Sequence, residues 1–583
     1  MAGGALLLFV STFVVQIIGL LYKIPLTNIY GTAGRAYFST AYAFYVPLYA
    51  ISMGGLPVAV SRLVSENMAL KRYRDVRQLR RVAIRIFIMT GTVGTLLMVL
   101  FAYPYTSFVG SPNSLASIFC IAPCIFLCCI MSSYRGYYEG MRNMIPTATS
   151  RVIESFGKMI FGVVSAWFTV DILTKEFAAH GTVMGQQIQT QLNSVGEAVP
   201  VEAVALDIIY SWGAAASVLA VTLGTIAALL YLMIYHKRVG DGFTRLELES
   251  APKPASSISL AKLLISVAVP MVLTSLINNL SNFVDAVTLQ NRLVYACTNG
   301  TNIVLQMFDG MISQNTIALG PKSIANTLWG EYNTMLDFKN IIPTITQSLG
   351  ISALPALAAV WTLRDRKKIR STVDSVLRIT MLISLPAGFG MAVLSQPILN
   401  LFYRSDTTGI MAPMLTVYGF GIFLIALSAP VTNMLQAVGR TDVPIKSMLL
   451  GCIVKVAMNY ILVGMPEINI KGAPYSTLLM YAIMMGYNLF MLCKITHYRP
   501  RVISLAVKPL FAAAVCAAGA WGTNYLLAQV ISAKAATVMA IAAAMMIYVA
   551  ALFLFRAITR EDILMLPKGE KIAKRLEKYG IIG

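Results

Sequence analysis

Long apolar runs alternate with short polar interruptions along the chain, and the runs have the length of membrane-crossing helices rather than of strands. A helix rising 1.5 Å per residue needs roughly 20 apolar residues to cross a hydrocarbon core about 30 Å thick. About fourteen such runs follow one another. Those that matter most below are the first (Ala5 to Tyr22), second (Phe38 to Val64), fourth (Leu115 to Met131), fifth (Pro146 to Val170), seventh (Leu263 to Leu289) and eighth (Phe338 to Val360). The pattern predicts an all-α membrane protein. The opening "MAGGALLLFVSTFVVQ" has no basic stretch ahead of its apolar run and no convincing cleavage site, so it is expected to be a retained first span and not a signal peptide.

An internal repeat organises the runs. Leu56-Pro57 in the second recurs as Leu354-Pro355 in the eighth, and Arg142 with Pro146 recurs as Arg440 with Pro444, both at an offset of 298 residues. Lys158 and Lys455 occupy comparable places one or two turns further on. The offset advances the chain by six spans, an even number, so the two copies are expected to be parallel. The expected division is an N-terminal lobe over 1–236, a cytoplasmic linker over 237–260, a C-terminal lobe over 261–494, and two further helices with an amphipathic tail, "GEKIAKRLEKYG", over 495–583.

Composition agrees with this reading and charge refines it. Mean hydropathy is +0.71, and 12% of residues are charged against roughly 25% in a soluble globular chain. The net charge of +21 could belong to a nucleic-acid surface, but its distribution follows topology. Lys71, Arg72, Arg74, Arg77, Arg80 and Arg81 cluster after the second run, and Arg364, Arg366, Lys367, Lys368 and Arg370 after the eighth. "YTSFVGSPNS", after the third, carries no charge. Basic loops stay in the cytoplasm, which places both termini there and leaves no surplus to explain by nucleic acid.

An ionised group at mid-membrane costs about 2.5–3.5 kcal/mol on insertion scales, so charges inside the runs should face protein or water. Lys23 closes the first run. Arg62 and Glu66, four apart, form a helix pair in the second, and Arg135 and Glu139 repeat that spacing in the fourth. Arg151, Glu154 and Lys158 share one face of the fifth. Paired charges on one face can line an aqueous cavity; the alternative for the helix-end arginines is snorkelling to headgroups. In the seventh run Asp285 stands among Asn278, Asn279 and Asn282, which suits a cation or proton site or a polar helix contact equally. The cations belong chiefly to the first half, and a basic surplus favours an anionic ligand, arginine suiting phosphate through its forked donors.

Cys120, Cys124 and Cys128 recur at helical spacing, but the helix brings no His or carboxylate near them, so they are expected to pack. Cys297 reads as a lone outer thiol. No phosphate loop, HExxH or nucleophile motif is present, so neither an enzyme nor an ATP-driven pump is expected.

"RGYYEGMRNMIPTATSRVIE" resembles the Arg-Gly-Tyr-x-x-Gly, Asn-x-x-Pro, Ser-x-x-x-Glu signature of the polysaccharide-biosynthesis and stage V sporulation protein B group, in the multidrug/oligosaccharidyl-lipid/polysaccharide (MOP) flippase superfamily with its MurJ-type lipid II flippases. "YKIPLTNIYGTAG", "GGLPVAVSRLVSE" and "REDILMLPKGEKI" resemble other parts of that group, so the likeness runs along essentially the whole chain. It implies a MATE-like fold of two six-helix lobes and fourteen helices, and a flippase carrying an undecaprenyl diphosphate-linked sugar or peptidoglycan precursor outward across the bacterial cytoplasmic membrane. It places Lys23 and Arg62 at basic positions of the family; Gln16 departs, standing where many relatives have Arg. The outer stretches 171–207 and 291–337 are longer than the group leads one to expect.

The expected substrate site is then Lys23, Arg62, Arg135, Glu139, Arg151, Glu154 and Lys158, with Asp285 and Asn282 as ion-coupling candidates. No metal or cofactor is expected beyond a coupling cation or proton. The partners are the lipid-linked precursor, membrane lipids and, as candidates, wall-synthesis enzymes, with a monomer expected. Rival readings are a cation-coupled multidrug exporter, which should have an acid-rich cavity, and a non-transporting scaffold.

Overall fold

The computed structural model describes residues 11–555, apart from 13, 20, 54, 194, 195, 197, 499, 501 and 502. The start of the first run and the amphipathic tail lie outside the described residues, together with the expectations placed on them. Numbering the longer helices in chain order, the first compact unit holds α1 (Lys23–Met53), α2 (Leu56–Ala69), α3 (Tyr73–Leu100), α4 (Leu115–Gly140), α5 (Ile145–His180), α6 (Val201–Val239), α7 (Ser257–Asn299) and most of α8 (Pro321–Lys339). The second unit holds α9 (Ile341–Thr362), α10 (Arg366–Val393), α11 (Ser405–Ala437), α12 (Asp442–Met458), α13 (Ala473–Thr496), α14 (Lys508–Leu527) and α15 (Ala533–Leu554). Residues 257–305 and 312–333 thus pack with the N-terminal bundle, whereas the repeat in the sequence assigns them to the second half.

Among the described residues, eleven helical runs are long and apolar enough to cross a membrane, so the chain is a multi-pass membrane protein. Three of the fourteen expected runs do not appear separately. The first two form one helical run, Val14–Ala69, and α7 and α9 do not meet the measure over their described residues, α7 contributing only Ser257–Val269 as a shorter apolar stretch.

Lys23 and Pro25 do not end a span. The chain turns at Tyr22 and resumes as helix at Lys23, with Pro25 in the first turn, where a missing N–H costs nothing. The helix then bends at Gly31, whose φ of 66° and ψ of −173° are open to glycine at no steric cost. The second expected run is broken as well, since α1 stops at Met53 and α2 begins at Leu56 with a proline in its first turn.

The outer stretches are more regular than the sequence suggested. Helix α5 continues to His180 and closes on Gly181, α6 starts at Val201, and two short antiparallel ladders, Thr182–Val183 with Gln186–Gln187 and Gln191–Leu192 with Ala198–Val199, fill the interval. The stretch 291–337 is mostly helical and ends in α8, whose Ile324, Ala325, Leu328, Trp329 and Tyr332 are buried. Cys297, read as a lone outer thiol, is buried on α7.

The linker is fastened to the basic first turns of α3. Arg74 Nε donates to the Leu248 carbonyl at 2.6 Å, and the Ala255 N–H donates to Asp75 at 2.7 Å. Asp241, just past α6, receives Arg77 at 2.5 Å, Arg80 at 3.6 Å and His236 at 3.5 Å. His236 stands in the last turn of α6 and meets the Tyr138 hydroxyl at 2.8 Å.

Candidate functional site

The segment that carries most of the ionisable groups, from Arg135 to Lys158, ends α4 and begins α5, and glycines bring its neighbours close. A Cβ on Gly136 would lie 2.5 Å from the Pro57 carbonyl oxygen, and one on Gly140 would lie 2.6 Å from the Val64 side chain. The Gly-x-x-x-Gly step in "RGYYEG" therefore seats α4 directly on α2, as small residues do between membrane helices. On the other side a Cβ on Gly224 of α6 would lie 2.8 Å from the Glu154 carbonyl oxygen and 2.9 Å from the Lys158 nitrogen.

Glu154 is the centre of the charges fixed in this way. Its Oε2 accepts from Arg135 Nη2 at 3.0 Å and its Oε1 from Lys158 Nζ at 2.5 Å. Arg135 Nε donates to Ser150 Oγ at 2.9 Å, so its forked end spans α5 by two contacts. The Arg135 and Glu154 side chains are only 10% and 11% exposed, whereas that of Lys158 is 25% exposed. Nearer the start of α5, Arg151 faces Glu139 at 3.8 Å and donates to Thr12 Oγ1 at 3.3 Å. Three cations and two carboxylates leave one positive charge, and the more open members are Arg151 at 37%, Lys158 at 25% and Glu139 at 21%.

A ladder of tyrosines on α1 faces this cluster. Phe38, Tyr42, Tyr45 and Tyr49 follow one another along the helix with successive centroids 4.8, 5.8 and 5.3 Å apart, the first pair stacked, the second edge-on and the third tilted. The Tyr45 hydroxyl lies 3.5 Å from Cys124 Sγ, which in turn lies 3.4 Å from the Thr225 hydroxyl. Cys124 and Cys128 are buried among these hydroxyls, and no cluster of three or more His, Cys, Asp or Glu side chains able to hold a metal occurs among the described residues. The arrangement offers aromatic faces, hydroxyls and forked or pointed cations, the groups that hold an anionic, hydroxylated headgroup.

Two family models match. "Lipid II flippase MurJ" covers residues 341–554 and "Polysaccharide biosynthesis protein" covers residues 1–189. Lipid II flippase MurJ of Bacillus subtilis (strain 168) is 24% identical over 515 residues, 86% of this chain and 84% of that protein. Stage V sporulation protein B of the same organism is 22% identical over 479 residues, 81% of this chain and 79% of that protein. The chain is thus similar to MurJ-type lipid II flippases and to stage V sporulation protein B along about four fifths of its length. Among solved structures, a lipid II flippase MurJ in an inward closed conformation matches with a TM-score of 0.60 and 14% identity, over 94% of this chain and 98% of that one. An inward-facing multidrug resistance MATE transporter of the same superfamily matches at 0.55 and 12%, over 83% and 98%. These likenesses establish the MATE-like fold, and the family is one of transporters, not enzymes.

In this MurJ-like chain the residues singled out by sequence separate into groups. Arg135, Glu154 and Lys158 form one bonded cluster and Glu139 with Arg151 a second pair on the same two helices. Lys23 is half-buried and follows Tyr22, whose ring lies 3.9 Å from the position of a Cβ on Gly162, one turn from Lys158. Arg62 and Glu66 bond to each other at 2.9 Å but are 60% and 51% exposed, and so stand apart from the buried cluster. Asp285 is buried on α7, Asn282 is exposed, and Asn279 donates to the Ser275 carbonyl at 2.8 Å. The tyrosine ladder went unnoticed in the sequence, although "FSTAYAFYVPLY" carries its rings at helical spacing.

Proposed function

We propose that this protein is a flippase that moves an undecaprenyl diphosphate-linked sugar or peptidoglycan precursor from the inner to the outer leaflet by alternating access. The observation that carries the reading is the net positive Arg135–Glu154–Lys158 and Arg151–Glu139 assembly beneath the tyrosine ladder, in a chain related to lipid II flippase MurJ along most of its length. A diphosphate would be drawn to Lys158 and Arg151, whose charges are only partly spent, while the prenyl tail stays in lipid. The saccharide would lie along Tyr42, Tyr45 and Tyr49. Asp285, buried in α7, is the candidate for a proton or cation that couples the cycle. Both termini would lie in the cytoplasm, as the basic loops direct.

A cation exporter would need an acidic surplus where this cluster is basic. Reconstituted protein offered a fluorescent lipid-linked precursor and, separately, a cationic dye distinguishes the two. Precursor transfer without dye efflux supports the flippase; dye efflux without precursor transfer overturns it.

A further inference from the structure

The second compact unit contains a cavity of about 550 Å³ between the short helix Ser395–Phe402 and the facing ends of α14 and α15. That volume falls within the roughly 300–1,000 Å³ of small-molecule sites. Its wall is more apolar than polar and, among the described residues, carries no carboxylate; the exposed Arg404 stands on one side and the exposed Lys534 on the other.

Hydrogen bonding within the wall leaves specific atoms unspent. Gln396 Nε2 donates to Thr408 Oγ1 at 2.6 Å and to Asn400 Oδ1 at 3.3 Å, and the Thr408 hydroxyl donates to the same Asn400 oxygen at 2.6 Å. Across the cavity the Thr537 hydroxyl donates to the Ala533 carbonyl at 2.8 Å and lies 3.3 Å from Asn524 Oδ1. Asn400 is thus oriented by bonds to its oxygen, and Asn524 by the one contact. Among the described residues neither amide nitrogen has a bonding partner, and both asparagines line the cavity. Two amide donors and two cations line one cavity whose described residues include no acid, a set that suits an anion bearing hydroxyl groups.

The membrane fixes where such an anion sits. Trp521 and Tyr525 of α14 stack at 5.7 Å and are 59% and 58% exposed, and Ala528 of the cavity wall follows one turn later. Exposed Trp and Tyr at the end of a spanning helix mark the headgroup layer. With the termini in the cytoplasm, the topology proposed above, this end of α14 faces outward.

We propose that the cavity holds the phosphate-bearing, hydroxylated headgroup of an outer-leaflet lipid. Arg404 and Lys534 hold the phosphate, and the amides of Asn400 and Asn524 orient the hydroxyls. Two sources share that chemistry, an anionic glycerophospholipid of the membrane and the headgroup of delivered cargo. The proposal rests on the membrane topology and not on the flippase reading, since lipid binding is measured without transport.

The test is binding of the full-length protein in detergent to phosphatidylglycerol, phosphatidylcholine, a prenyl diphosphate sugar and free glycerol phosphate, read by native mass spectrometry and by thermal shift. Arg404→Gln with Lys534→Gln is expected to weaken phosphatidylglycerol or prenyl diphosphate binding at least about tenfold, a change of about 1.4 kcal/mol. Ala528→Trp, which fills the cavity and keeps both cations, is expected to do the same. Selective loss of phosphatidylglycerol identifies a membrane lipid as the occupant, and selective loss of the prenyl diphosphate identifies cargo. Equal binding by wild type and both variants, or equal binding of phosphatidylcholine or free glycerol phosphate, overturns the proposal.

Discussion

Arg135 and Glu154 meet at 3.0 Å, Nη2 to Oε2, with about a tenth of each side chain exposed. Burial of this order makes the pair a structural commitment, because removing one partner strands the other charge away from water. Glu154→Ala is expected to cost about 3–5 kcal/mol of stability. Thermal unfolding in detergent checks this, and a loss below about 1 kcal/mol, the range of an exposed pair, would contradict the burial described here.

The close approach of α5 and α6 sets the geometry of the same cluster. Gly224→Ala would place a methyl group 2.8 Å from the Glu154 carbonyl oxygen, and overpacking of that kind typically costs about 1–3 kcal/mol. The expected outcome is a lower unfolding temperature together with slower precursor transfer. A variant with wild-type values of both would show that the helices are free to separate.

Glu331 lies on α8, outside the candidate spans, and is 1% exposed. Burial raises its carboxyl well above the usual carboxylate range, against a lowering from its hydrogen bond with the Thr32 side chain. The folded state therefore keeps a proton that the unfolded state releases near the ordinary value of about 4.3. The stabilisation is complete below that value and is lost as pH rises through the folded one. Unfolding temperature measured from acid to alkaline pH is expected to fall for the wild type relative to Glu331→Gln, and parallel profiles would contradict this.

Asp241 gathers Arg77, Arg80 and His236 at the start of the linker. Asp241→Asn removes the charge that three groups share and is expected to make 240–256 cleaved several-fold faster by protease added to the cytoplasmic face. Unchanged cleavage would mean that Arg74 with Leu248 and Asp75 with Ala255 suffice to hold the linker.

What could be read from the sequence was whatever repeats at helical spacing. The apolar runs announced the helices, and helical spacing announced the Glu154–Lys158 pair, but Arg135 with Glu154 and Arg151 with Glu139 join α4 to α5, a pairing that the i,i+4 spacing of Arg135 and Glu139 did not show. Lys23 with Pro25 marked an interruption that the turn at Tyr22 shows, but gave no sign that helix resumes at once and runs on to the bend at Gly31. Arg62 and Glu66 had the right spacing, yet spacing does not tell which way a helix face turns, and theirs is exposed. The burial of Glu331 left no local pattern, since it depends on α8 packing into the first unit.

The central claim is that the partly open cations of the first unit receive a diphosphate. Leaflet transfer of a fluorescent prenyl diphosphate-linked precursor in proteoliposomes, compared between wild type and the Lys158→Gln, Arg151→Gln double variant, tests it most directly. A charge-assisted contact contributes about 1.5–3 kcal/mol, so transfer is expected to fall at least about tenfold while the protein still folds. Transfer at the wild-type rate would contradict the account.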